Sequence, residues 1–128
     1  MSIFWLLGLT GVGGNNMSFE KEIAPFVWCK HEDSVSVILD VGIYKNEIFE
    51  SRANEGFEGG GYDWASLARV FLDEKASYLK SIKFDPEGSM FCVYSTNEED
   101  LKEFILAFKN ACEDSELILD LFSRAELD

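Results

Sequence analysis

The sequence contains few of the side chains that build metal or catalytic centres. It has one histidine, two prolines and three cysteines in 128 residues. The cysteines, Cys29, Cys92 and Cys112, are widely spaced and form no CxxC pair. Because metal sites use close groups of Cys and His, we expect neither a metal ion nor a cofactor. Cysteines in this arrangement are typical of free thiols in a reducing compartment, so we expect a cytoplasmic protein.

Positive charge is also scarce. Lys and Arg total 11 against 24 Asp and Glu, which gives a net charge of −13. A surface of this sign does not neutralise phosphates, so we expect neither nucleic acid nor an anionic membrane as a ligand. Complementary charge favours a basic protein partner instead. The alternative is that the negative charge only maintains solubility.

No apolar run is long enough to span a bilayer. The N-terminal stretch Ile3–Leu9 is interrupted by Gly8 and lacks the positive flank of a signal peptide. We interpret residues 1–16 as an N-terminal extension or an extra strand, and residues 17–128 as one domain.

The chain is rich in apolar and aromatic side chains, at 47% and 14% of residues, so it can bury a core. Apolar periodicity and turn residues predict two hairpins, with strands over residues 26–30, 34–42, 78–85 and 89–95. Helical stripes predict helices over residues 63–76, 97–112 and 117–122. The order β-β-α-β-β-α-α indicates an α+β fold, in which an antiparallel sheet of two hairpins carries about three helices on one face.

The most distinctive stretch is Gly-Gly-Gly-Tyr-Asp-Trp, residues Gly59–Trp64, at the start of the first predicted helix. Asp63 stands where an N-cap is expected, and Trp64 opens the apolar stripe of the helix. A glycine-rich loop before a helix also binds phosphates, but Asp63 has the wrong charge and no Gly-Lys-Ser/Thr follows. We therefore interpret Gly59, Gly60, Gly61, Asp63 and Trp64 as structural.

No spacing of residues predicts an enzyme. His31 lies in a polar turn, and no serine has the context of a nucleophile. The candidate functional feature is an acidic surface that a protein partner contacts. It comprises the loop residues Glu50, Glu55, Glu58 and Tyr62 and the hairpin-turn residues Asp85 and Glu87. The acidic start of the helix after residue 97 is a further candidate.

The chain resembles the immunity protein 51 family of bacterial polymorphic-toxin and contact-dependent inhibition systems. The resemblance runs from about Phe19 to the C-terminus and rests on the stretches Ile48–Glu50, Gly56–Trp64 and Phe84–Cys92. The family pattern has Asn at the position of Gly60, an exchange that suits a left-handed backbone. The resemblance implies a non-catalytic protein that binds and neutralises a cognate toxin domain. We expect a nuclease with a basic surface. The alternative is an acidic adaptor or regulatory domain with no toxin partner.

Overall fold

The computed structural model describes residues 12–127, which form a four-stranded antiparallel sheet and five α-helices. Their order confirms the α+β fold class: α1 (Val12–Ile23), β1 (Val27–Lys30), β2 (Val35–Asp40), α2 (Asn46–Glu50), α3 (Gly61–Lys75), β3 (Lys83–Phe84), β4 (Met90–Ser95), α4 (Glu98–Glu113) and α5 (Ser115–Phe122). Residues 12–16, expected in an extension or strand, lie in α1, and residues 1–11 are outside the described part. Helix α1 crosses the predicted boundary between residues 16 and 17. The division into an extension and a domain stays a prediction.

The two predicted hairpins lie side by side in the strand order β1-β2-β4-β3. Strands β2 and β4 form the centre and pair from Val35 opposite Ser95 to Asp40 opposite Met90. The strand predicted over residues 78–85 is wrong over most of its length, because only β3 is extended. Turns precede it, and they bury Leu79 and Ile82 against the core.

One face of the sheet packs against the helices. Directly opposed residues share a face, and the alternate residues Val35, Val37, Leu39, Phe91 and Val93 are all buried. The predicted stripes of α3 and α4 cover them, with Leu67, Phe71, Phe104 and Phe108 also buried. Burying each such side chain stabilises the fold by about 1.5–3 kcal/mol. The other face, which carries Ile38, Cys92 and Tyr94, is only partly covered by the described residues.

Local capping sets the ends of the last two helices. The Asn97 side chain accepts a hydrogen bond from the Asp100 N–H at 3.1 Å and so caps the start of α4. Asp114 separates α4 from α5 and accepts from the Leu117 N–H at 3.2 Å. The three acids in the first turn of α4 also complement the positive end of the helix dipole.

The segment between β2 and α3 is more ordered than its polar sequence suggests. It contains the short helix α2 and a 3-10 helix, Ala53–Glu55. Ile48 and Phe49 pack into the core, and Phe57 is buried with them. Arg52 ties this segment to the end of α5, because its Nη1 donates to the backbone oxygens of Phe122 at 2.6 Å and Ala125 at 2.8 Å.

Candidate functional site

The glycines of the Gly59–Trp64 stretch bring the loop into close contact with the β3–β4 hairpin turn. The Gly61 N–H donates to the Gly88 oxygen at 3.1 Å. A Cβ on Gly61 would lie 1.9 Å from the Glu87 oxygen, so only glycine fits. Gly59 has φ +83, in the left-handed region. Gly60 has φ −77, so a left-handed backbone does not explain the exchange of Asn for glycine there.

The predicted N-cap role of Asp63 is wrong. Helix α3 begins at Gly61 with Gly60 as its N-cap, so Asp63 lies inside the first turn. Its carboxylate points backward and accepts from the backbone N–H groups of Glu58 at 2.7 Å and Gly59 at 2.9 Å. The buried carboxylate therefore shapes the loop before the helix, while its charge still complements the helix dipole.

Trp64 lies at the centre of the core and is fully buried, as predicted. Its ring stacks on Tyr44 at a centroid distance of 6.1 Å and an interplanar angle of 12°. It also meets Phe26, Phe49 and Phe91 at 5.1–6.2 Å. The side chain is thus a structural element that links α3 to the sheet and to the segment around α2.

Tyr62 is the one side chain of the stretch that folding does not bury, with 50% of its surface exposed. It precedes Trp64 by two positions, about 200° around the helix, so it points away from the core stripe. A large, rigid side chain with a polar end is a common anchor in protein interfaces. Tyr62 is therefore the side chain of this stretch that a protein partner can contact.

Folding brings the two best candidate acidic segments together. The contact between Gly61 and Gly88 places the Glu58–Tyr62 loop beside the turn that carries Asp85 and Glu87. Among the described residues, the carboxylates of Glu58, Asp85 and Glu87 have no hydrogen-bond or ion-pair partner. They are exposed, so their charge is available to a partner.

The other two loop acids are placed differently. Glu55 forms a bidentate pair with Arg52, at 2.7 and 3.0 Å, and this pair lowers the pKa of Glu55. Since Arg52 holds the end of α5, the Glu55 carboxylate serves the fold. Glu50 is exposed at the end of α2, where nothing in the described residues links it to the hairpin turn.

Several acids of the C-terminal helices have partners within the protein. Glu98 pairs with Lys30 at 3.4 Å and Lys102 at 3.6 Å. Arg124 pairs with Glu74 at 2.7 Å and Asp120 at 2.9 Å, which lowers the pKa of both carboxyl groups. Internal pairing reduces the field that these helices present, although Glu99 and Glu116 remain exposed.

An apolar groove was not predicted from the sequence. It has a volume of about 480 Å³ and lies at the end of the sheet where β2 finishes. Its walls are formed by Pro25, Val27, Ile38, Leu39, Asp40, Ile43 and Tyr44. Ile43 is 92% exposed, which no sequence signal indicated.

Within residues 12–127, the reactive side chains form no recognisable catalytic arrangement. His31 is exposed, and its Nε2 lies 2.9 Å from the Ser36 hydroxyl. Burial and the nearby Asp85 raise the pKa of Cys92, and burial raises the pKa of Cys112, so both remain thiols at neutral pH. The three cysteines are free. Among the described residues, no cluster of His, Cys, Asp and Glu has a metal-binding arrangement, and no helix has the length and apolar character to cross a membrane.

Comparison with known proteins identifies the family. The family described as immunity protein 51 matches residues 26–127, so the chain belongs to it and the resemblance is confirmed. No curated protein and no solved structure matches the chain. The family name identifies an immunity protein, which implies a toxin as its partner.

Proposed function

We propose that this member of the immunity protein 51 family binds and neutralises a cognate bacterial toxin domain in the cytoplasm. The toxin is a nuclease, and the protein blocks its basic nucleic-acid-binding surface. The surface that meets it comprises Glu58 and Tyr62 of the loop and Asp85 and Glu87 of the hairpin turn. The protein itself performs no catalysis.

One observation carries the placement of this surface. In the Gly59–Trp64 stretch, contacts within the fold explain why five of the six residues are needed. Tyr62 instead remains half exposed beside the hairpin turn. The carboxylates of Glu58, Asp85 and Glu87, which have no partner among the described residues, belong to the same two segments. An aromatic anchor within a field of negative charge suits a basic protein surface, because the charges steer the encounter and the ring supplies contact area.

Binding itself is tested with the toxin domain encoded next to this protein. Co-expression should restore the growth of cells that produce the toxin, and the two proteins should co-purify. If no neighbouring toxin binds, the protein is an acidic adaptor or regulatory domain, and the proposal is wrong.

The placement is tested by charge reversal. Glu58 and Glu87 are changed together to Lys, since Glu55 is needed by Arg52. Association with a catalytically inactive toxin domain is then measured at low and high salt. The matched control changes Glu99 and Glu116 to Lys, which alters the net charge equally at exposed sites on the C-terminal helices.

We expect the Glu58/Glu87 variant to associate about 10-fold more slowly at low salt, with the difference shrinking as salt rises. The control should associate nearly as fast as the unchanged protein. Slower association of the control alone would move the toxin-contacting surface to the C-terminal helices. Thermal melting of both variants shows that they remain folded.

A further inference from the structure

We propose that the apolar groove beside this surface receives an apolar side chain of the toxin domain, flanked there by a lysine or arginine. The groove is the one lined by Val27, Ile38, Ile43 and Tyr44, with Asp40 on its wall. This inference rests on the proposed function and adds a second, apolar component to the same interface.

The first argument is the exposure of aliphatic side chains around the groove. Ile43 is 92% exposed and Val27 is 52% exposed. Val27 lies opposite Ile38, which lies opposite Cys92, so an apolar row crosses three strands on the open face of the sheet. Contiguous apolar surface with a polar rim marks a binding site more often than scattered apolar residues do.

The second argument is how the backbone presents Ile43. Gly42 has φ +110, a left-handed conformation that turns the chain after β2. Tyr44 then packs inward, with its ring against Phe26 at 5.7 Å and Trp64 at 6.1 Å. Ile43 is left pointing away from the core, and the fold gains nothing from its side chain.

The third argument is charge. Asp40 lies on the groove wall, opposite Met90, and the Asp85 N–H donates to the Cys92 oxygen at 2.9 Å. The apolar row therefore runs from the groove towards the acidic hairpin turn. Its complement is an apolar side chain with a neighbouring cation, as expected of a basic toxin surface.

The fourth argument is continuity with the proposed interface. The Val41 N–H donates to the Ser89 oxygen at 3.2 Å, and the Gly61 N–H donates to the Gly88 oxygen at 3.1 Å. The hairpin turn thus connects the groove on one side with the Tyr62 loop on the other. One partner that covers the turn would reach both.

The test changes Ile43→Ser and measures dissociation from the inactive toxin domain. Because Ile43 is exposed, the variant should fold normally. We expect affinity to fall about 10- to 100-fold, mainly through faster dissociation and with little dependence on salt. Leu119→Ser is the matched control, since Leu119 is an aliphatic residue that is 44% exposed on α5.

An Ile43 variant that binds as tightly as the unchanged protein would overturn the groove proposal. If the Glu58/Glu87 reversal still slows association, the proposed function stands without it. A second copy of this chain is the other candidate occupant. The proposal would also be overturned if light scattering showed a dimer and Ile43→Ser dissociated this dimer without affecting toxin binding. The proposal would likewise be overturned if bound toxin left the rate of amide hydrogen exchange in β1 unchanged.

Discussion

Replacing Gly61 with alanine should separate the loop from the hairpin turn. The added Cβ would lie 1.9 Å from the Glu87 oxygen and 2.3 Å from the Met90 oxygen. Both contacts are with backbone atoms, so no side-chain rotation relieves them. The start of α3 and the turn must move apart by about 1 Å before the shorter contact reaches 3.0 Å, the lower limit for real Cβ atoms.

The expected loss of stability follows from three contributions. Steric overlap in a packed site raises the free energy of the folded state by about 1–3 kcal/mol. Loss of the hydrogen bond from Gly61 to Gly88, at 3.1 Å, removes about 0.5–1.5 kcal/mol. Alanine is favoured over glycine in a helix by up to about 1 kcal/mol, which offsets part of the loss. The net destabilisation is about 1–4 kcal/mol, and the corresponding fall in Tm is roughly 10 °C.

Two other glycines supply graded controls for thermal melting. A Cβ on Gly60 would lie 3.0 Å from the Gly88 oxygen, and a Cβ on Gly88 would meet nothing within 4 Å. Neither position has a left-handed φ. We therefore expect Tm to fall most for Gly61→Ala, less for Gly60→Ala, and by under about 2 °C for Gly88→Ala. Equal melting of the Gly61 and Gly88 variants would refute the close contact.

One further prediction compares a residue that stabilises the fold with one that contacts the partner, and another concerns the loss of stability at low pH. Asp63→Ala should destabilise the protein by about 2–4 kcal/mol in urea unfolding, because two N–H groups lose a charged acceptor. Tyr62→Ala should keep the Tm of the unchanged protein but weaken toxin binding, which titration calorimetry measures. The Tyr44 hydroxyl and Lys45 lower the pKa of the Glu113 carboxyl, so its stabilisation is present above the unfolded value of about 4.3 and disappears as pH falls through the folded value. In urea unfolding, Glu113→Gln should therefore differ from the unchanged protein at pH 7 and converge with it at low pH; a constant difference would contradict this.

The parts of the fold that could be predicted are those with local, repeated signals. The stripes of α3, α4 and α5 follow the period of the helix, and β2 alternates buried and less buried residues. Helix α2 was missed because five residues are too few to show a period. The strand predicted over residues 78–85 was too long, because only its two residues Lys83–Phe84 are extended. Helix α1 was missed because its first half, Gly13–Asn16, consists of glycine and asparagine, which have low helix propensity.

The misplaced cap at Asp63 has a different cause. An acid near the start of a helix is a good predictor of a cap, but the helix boundary here depends on a tertiary contact. Gly61 can begin the helix because its backbone meets the hairpin turn, which lies about 27 residues later in the chain. Once α3 starts at Gly61, Asp63 is inside it, and its carboxylate reaches the N–H groups of Glu58 and Gly59 instead.

The candidate site contains two exposed side chains, Tyr62 and Ile43. Helical periodicity predicts the exposure of Tyr62 but not that of Ile43. Tyr62 lies off the apolar stripe of α3, so its exposure follows from the helix. The exposure of Ile43 depends on the left-handed turn at Gly42 and on the inward packing of Tyr44. Since stability constrains neither exposed side chain, both can differ between immunity proteins while the fold is kept. Under the proposed function, exchanges at these two positions would change which toxin is bound while the fold is kept.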